Sequence, residues 1–363
     1  MPYSPKYQIT NRLLTLVGSV DAAREVITTA PLVPAWERKF QNEARLRTIH
    51  HGTHLEGNNL DLDQVEEIVG DNTKVMETHV AKERDIQEVI NYREVMDYID
   101  QLKIELEQAP TATLTEGMLK EIHKKTVSGI LGETEAGYYR TLRVVIRNTT
   151  TGEITFRPPE PTGVPNLISE FFAWLRSQEA NSTHPLIKAG LIHAELVRIH
   201  PFTDGNGRAT RALSLLLLLL EGYEVKKFFS LDEYYDQDPQ AYYDALKSVE
   251  ITGDLTTWLE YFVLGISIEF NRVKTLVQKL SLDLHLKETI GGKQIALSDR
   301  QIRLVEYLEK YVSLGMSEAR DLLPNVSDDT ILRDLRDLVD KKLISRRGNT
   351  KGAKYYLINS KST

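Results

Sequence analysis

The chain has no cysteine among its 363 residues. Disulfides, thiolate nucleophiles and cysteine-held zinc are excluded, which suits a reducing compartment. Long apolar runs are missing too: the longest, Ala212–Leu220, is interrupted by Ser214 and falls far short of the roughly 20 residues that span a bilayer. The opening segment MPYSPKYQITNRLL lacks the apolar centre of a secretory signal. A cytoplasmic protein with no membrane partner is the expectation. An excess of basic charge is absent as well, and a net charge of -7 argues against nucleic-acid binding by the chain as a whole. What is present, 41% hydrophobic residues in mainly helical patterns without an internal repeat, suffices for two or three domains with their own cores.

The densest chemistry lies in HPFTDGNGRATR, from His200 to Arg211. Gly205, Asn206 and Gly207 form a stretch whose bare glycines permit positive φ and let backbone N–H groups converge on an anion. The breaker-free segment from Arg208 to Leu220 reads as a buried helix, which places this nest at a positive helix terminus. Arg208 and Arg211, three apart, share a face and offer forked donors to phosphate oxygens. Asp204 is an oxygen ligand suited to Mg²⁺ held against phosphates. His200 follows PLIKAGLIHAELVRI, a helix with Pro185 in its first turn, and is placed to take a proton from an attacking hydroxyl. A D-G-N-G string alone would read as a turn. The segment lacks the lysine that a P-loop requires after its last glycine.

These residues resemble the signature of the Fic family of AMP transferases, His-x-Phe-x-Asp/Glu-Gly-Asn-Gly-Arg-x-x-Arg, at every fixed position. The resemblance implies a mainly α fold: a Fic-type helical core with a β-hairpin flap. It implies ATP as substrate and Mg²⁺ as cofactor, with His200 the base, Asp204 the metal ligand and Gly205, Asn206 and Gly207 the anion hole. Arg208 would steady the phosphates, Arg211 would reach the γ-phosphate, and Phe202 would anchor the loop in the core. The product would be a Ser, Thr or Tyr hydroxyl of a target protein carrying AMP.

Upstream, ARLRTIHHGTHLEGNNLDLDQVEEIV is similar to the family's inhibitory helix. Its glutamate, here Glu56, would pair with Arg211 and block a productive γ-phosphate. The family's hydroxyl residue four positions earlier is replaced by Gly52, which weakens a helix by about 1 kcal/mol relative to Ala and predicts a looser brake. His50 and His54 have helical spacing but no third metal ligand is evident.

Between the two segments, RVVIR and EITFR flank NTTTG and read as a hairpin. By resemblance it is the flap, about residues 139–158, along which a target strand would be added. Tyr242 and Tyr243, in DPQAYYDAL, are candidates to contact the adenine. The last segment, SDRQIRLVEYLEKYVSLGMSEARDLLPNVSDDTILRDLRDLVDKKLISRRGNTKGAKYYL, looks like a winged helix, with a third helix capped by Ser327 and a hairpin around Gly348 to Gly352. Its acidic helix, with Asp328, Asp329, Asp334 and Asp337, disfavours DNA although the last 23 residues carry seven Lys or Arg and no acid. Protein contact, including a homodimer, is the favoured role. The domains are expected at 1–108 (N-terminal helical region), 109–275 (catalytic core), 276–296 (linker) and 297–363 (winged helix). Removal of AMP using Glu56 and His200, a nucleotide-sensing regulator, and another nucleotide such as UTP stay open.

Overall fold

The computed structural model describes residues 3–30, 32, 34–70, 83–108, 113–147, 154–223, 227–288, 297–324, 326–348 and 353–358. In chain order the helices before the flap are α1 (Asn11–Thr29), α2 (Pro34–His54), α3 (Leu62–Gly70), α4 (Glu83–Glu107) and α5 (Glu116–Thr126). Two short strands follow, β1 (Ile146–Arg147) and β2 (Ile154–Phe156). Then come α6 (Val164–Leu175), α7 (Gln178–Ser182), α8 (Pro185–Ile199), α9 (Asn206–Leu220), α10 (Leu231–Gln237), α11 (Pro239–Thr252) and α12 (Thr256–Glu288). The last elements are α13 (Asp299–Lys310), α14 (Met316–Leu322), α15 (Asp328–Asp340), β3 (Ile344–Arg347) and β4 (Lys354–Leu357).

The chain divides into two units, Met1–Glu25 with Glu43–Val273, and Val26–Asn42 with Lys274–Thr363. In the first, α8 and α9 form the centre. Every residue of α8 from Leu186 to Leu196 is buried, and so is nearly every residue of α9, as expected of helices apolar on all sides. α9 packs on α8, α5 and α4. Trp258 of α12 adds an indole N–H donated to the Gly190 carbonyl of α8 at 2.8 Å. The α8–α9 connection is therefore held between two buried helices. β1 and β2 pair antiparallel, Ile146 with Phe156 and Arg147 with Ile154; the NTTTG turn expected between them lies outside the described residues.

In the second unit, Ile302, Val305 and Leu308 of α13 pack with Ile331, Leu335 and Leu338 of α15, each set spaced three or four apart. A capping box of Ser298 and Gln301 opens α13, the reciprocal arrangement that satisfies two orphan helix donors. β3 and β4 form an antiparallel hairpin from Ile344↔Leu357 to Arg347↔Lys354, and Leu314 pairs with Tyr355 as an isolated bridge. Ser327 stands at the N-cap of α15 without a side-chain cap, because its hydroxyl faces Thr330 at 3.0 Å instead. Three acids of α15 have partners: Asp328 with Arg320, Asp334 with Arg300 and Asp337 with Lys341. Residues 276–288, where the sequence places the start of a linker, are the continuation of α12. The hairpin turn after Gly348 lies outside the described residues. Among them, no helix is long and apolar enough to cross a membrane.

Candidate active site

The α8–α9 connection gathers the site. His200 ends α8 in a left-handed conformation, φ 48° and ψ 63°, uncommon for a residue with a side chain and a frequent mark of functional positions. Arg140, itself buried, holds it there: its Nε donates to the His200 carbonyl at 2.8 Å. The same guanidinium donates to the carbonyls of Leu142 and Pro159, one on each flank of the hairpin. A single arginine thus ties both sides of the hairpin to the backbone of His200. Burial pushes the imidazole down to about 4, partly offset by the nearby Glu56 carboxylate. His200 is therefore neutral at neutral pH, and its Nδ1 is buried without a hydrogen-bond partner.

Gly205 caps α9 at φ 74°, and a Cβ there would lie 2.7 Å from Val127 Cγ1. No side chain caps the first turn of α9, so the N–H groups of Asn206, Gly207 and Arg208 have no intrahelical acceptor. The Asn206 side chain serves the loop's shape: it exchanges two 2.8 Å hydrogen bonds with the backbone N–H and carbonyl of Phe202. Phe202, fully buried, stacks on His123 at 3.6 Å between ring centroids. His123 Nδ1 accepts from the Gly137 N–H, so its proton sits on Nε2 and is donated to the Asp204 carbonyl at 2.9 Å.

Burial pushes His123 down to about 4, well below an unfolded value of about 6.5. Between those values the unfolded chain binds the extra proton, so the stability this neutral imidazole contributes is complete above pH 6.5. It is lost as pH falls toward 4, by about 3 kcal/mol. Replacing His123 by Asn should lower stability at pH 7 and flatten the dependence of denaturation midpoint on pH between 6.5 and 4. An unchanged slope would contradict the buried neutral form.

An anion already occupies the nest side of α9. The Glu56 carboxylate accepts from Arg211 Nη1 at 2.8 Å, and a Cβ on Gly207 would lie 2.0 Å from Glu56 Oε1. Arg211, 4% exposed, also donates from Nε to Asp232 at 2.7 Å and from Nη2 to the Gly52 carbonyl at 2.8 Å. Gly52 is required here: a Cβ would stand 2.3 Å from Tyr92 Cε1 and 2.9 Å from Asp232 Oδ1. The residue read from sequence as a weak point in α2 is where the helix backbone approaches α4 and α10. Gly52→Ala should therefore destabilise the protein by about 1–2 kcal/mol, the overpacking cost of 1–3 kcal/mol outweighing alanine's better helix propensity. A higher melting temperature for that variant would contradict the packing.

Asp204 takes the Gly205 N–H on Oδ1 at 2.6 Å and Arg84 Nη2 on Oδ2 at 2.6 Å. Neighbouring Arg208 and Arg84 and the Gly205 N–H together hold its carboxyl below the usual aspartate range against the opposing effect of burial. Arg208 is 1% exposed and faces Glu88 of α4 at 3.4 Å. Tyr242 is buried among Tyr235, Trp258 and Tyr243, and its hydroxyl meets His193 Nε2 at 2.8 Å. Tyr243 beside it is 45% exposed. His51 and His54 both turn Nδ1 to Asp236. Among the described residues no group of three His, Cys, Asp or Glu has metal-binding geometry.

Residues 113–218 match the family model described as Fic/DOC family. This segment is similar to a Fic domain. Proteins named protein adenylyltransferase Fic are similar to the chain. The Drosophila grimshawi protein is 32% identical over 209 residues, 56% of this chain and 39% of its own length. The Nematostella vectensis protein is 28% identical over 228 residues, 62% and 50%. The chain thus spans half or less of these relatives. A Fic family protein from Desulfovibrio desulfuricans superposes with TM-score 0.65 at 21% identity, covering 99% of this chain and 100% of that one. Fic-1 from C. elegans superposes with TM-score 0.60 at 22% identity, covering 74% and 73%. At these identities the likeness is one of fold, and it places the helices described above in the Fic fold.

The signature residues were legible as a string. Arg84, Glu88, Asp232, His123 and Arg140 were not, because they come from parts of the chain distant from the signature string, Arg84 and Glu88 together on α4, and have no distinctive sequence neighbourhood. Only Arg140 lies within a segment singled out from sequence, the hairpin region at about residues 139–158.

Proposed function

We propose that this protein transfers AMP from MgATP to a Ser, Thr or Tyr hydroxyl of a target protein, and that Glu56 restrains the transfer. The observation that carries the reading is the Glu56 carboxylate seated on Arg211 over Gly207, an anion in the cradle that the signature loop builds. ATP's γ-phosphate is the group that would replace it. In the reaction, neutral His200 takes the hydroxyl proton. The hydroxyl oxygen bonds to the α-phosphorus, the bond from that phosphorus to the bridging oxygen breaks, and pyrophosphate leaves. The free N–H groups of α9 and the Arg208 guanidinium stabilise charge on the phosphates. Contact with the base falls to the exposed Tyr243, with Tyr242 as its packed support.

Asp204 fits a magnesium ion. It is one half-exposed carboxylate whose Oδ2 already faces a cation, Arg84, and Mg²⁺ is commonly held by one or two carboxylates with substrate phosphates and water. Bound there, the ion would supply charge neutralisation on the phosphates. A target segment would lie along the hairpin that Arg140 ties to His200. Because Glu56 also lies close enough to His200 to act on its imidazole, AMP removal by water remains the second reading. The test supplies α- and γ-labelled ATP in parallel with candidate protein. Label should pass to protein from the α-phosphate only and UTP should compete weakly, whereas γ-label on protein would overturn the reaction class.

A further inference from the structure

Four charged side chains close a ring beside the nucleotide loop. Arg84 Nε meets Glu88 Oε1 at 3.1 Å, Glu88 Oε1 meets Arg208 Nη1 at 3.4 Å, Arg208 Nη2 meets Asp204 Oδ1 at 3.8 Å and Asp204 Oδ2 meets Arg84 Nη2 at 2.6 Å. Charges alternate around it. Two members, Asp204 and Arg208, belong to the signature loop, and two, Arg84 and Glu88, to the first turns of α4. Glu88 is further fixed by the Asn58 side chain, whose Nδ2 donates to Glu88 Oε2 at 3.1 Å and to the Asp85 carbonyl at 2.9 Å.

The ring is incomplete in one respect. Arg208 is almost fully buried, yet its Nε and Nη1 have no hydrogen-bond partner, the Glu88 contact being a charge contact. Buried guanidinium donators of this kind are rare without an acceptor. Arg84 sits in the first turn of its helix, where the macrodipole disfavours a cation, so Asp204 and Glu88 supply the negative charge that compensates it there.

We infer that Arg84 and Glu88 are resident counter-ions of the nucleotide site: Arg84 holds the place of the metal cation on Asp204, and Glu88 the place of phosphate on Arg208. MgATP then binds by exchange, the cation displacing Arg84 and the phosphate displacing Glu88, with no net charge left unpaired before or after. Because Asn58 lies two residues beyond Glu56, the segment that seats Glu56 on Arg211 also braces Glu88 against Arg208. Both signature arginines are thereby held by carboxylates until nucleotide arrives. The inference rests on the nucleotide-binding part of the function proposed above.

ADP is the appropriate probe, since it lacks the γ-phosphate that Glu56 opposes. Binding of ADP to the full chain would be measured calorimetrically across a series of Mg²⁺ concentrations. Arg84→Ala, at a side chain 56% exposed and so tolerable to the fold, should reach half-maximal ADP binding at about fivefold lower Mg²⁺, the upper range for a solvent-exposed ion pair. Arg84→Lys should stay near wild type. Glu88→Gln, which removes the charge and keeps one acceptor oxygen at the same shape, should bind ADP more tightly at every Mg²⁺ concentration. An unchanged Mg²⁺ requirement in Arg84→Ala, or weaker MgADP binding, would overturn the exchange; weaker binding in Glu88→Gln would overturn the role of Glu88. If wild type and Glu56→Gly alike bind no adenine nucleotide at any Mg²⁺ concentration, the proposed function itself fails, a result distinct from all of these.

Discussion

Replacing Glu56 by glycine is expected to raise AMP transfer by about 10- to 100-fold. The carboxylate makes a charged hydrogen bond to Arg211, of a kind worth roughly 1.5–3 kcal/mol, and each 1.4 kcal/mol is about a factor of ten in binding. A γ-phosphate that no longer competes with an intramolecular anion gains that difference. The variant should also fold. Arg211 keeps Asp232 at 2.7 Å and the Gly52 carbonyl at 2.8 Å, so the buried guanidinium is not stranded, the circumstance that makes breaking a buried pair costly. Initial rates of label incorporation at saturating target would measure the effect. A rate equal to wild type would mean that the ion pair is structural.

His200→Ala should lower transfer by about 10²- to 10⁴-fold, the usual contribution of a positioned general base. Nucleotide binding should change little, because the donors that face phosphate belong to α9 and to Arg208, whereas His200 ends α8. Its backbone carbonyl remains available to Arg140 in the variant, so the flap attachment survives the loss of the ring. Rate and ADP affinity measured on the same preparation separate the two effects. Loss of affinity in proportion to rate would assign His200 to binding instead.

The sequence carried the loop because its chemistry is local. Phe202, Asn206 and Gly205 shape one another within five positions, through the Asn206 side chain on the Phe202 backbone and the left-handed Gly205. The pairing of Glu56 with Arg211 spans 155 positions, and only the resemblance of both segments to known ones brought them together. Gly52 leaves space for Tyr92 and Asp232, a tertiary role that helix propensity, a property of an isolated helix, does not register. Arg84 and Glu88 are four apart on α4 and read as an ordinary exposed i, i+4 pair; nothing in the chain signals that α4 delivers them to Asp204 and Arg208. Tyr242 and Tyr243 are adjacent and alike in sequence, and the helix separates them, one buried on His193 and the other exposed.

Under the proposed function one site transfers AMP and one carboxylate restrains it. The most direct measurement is incorporation of α-labelled ATP into protein, in Mg²⁺, by wild type, Glu56→Gly and Glu56→Gly/His200→Ala. Wild type should label weakly, the single variant strongly, and the double variant not above background. Equal labelling by the single and double variants, or none by the single variant, would contradict the proposed function.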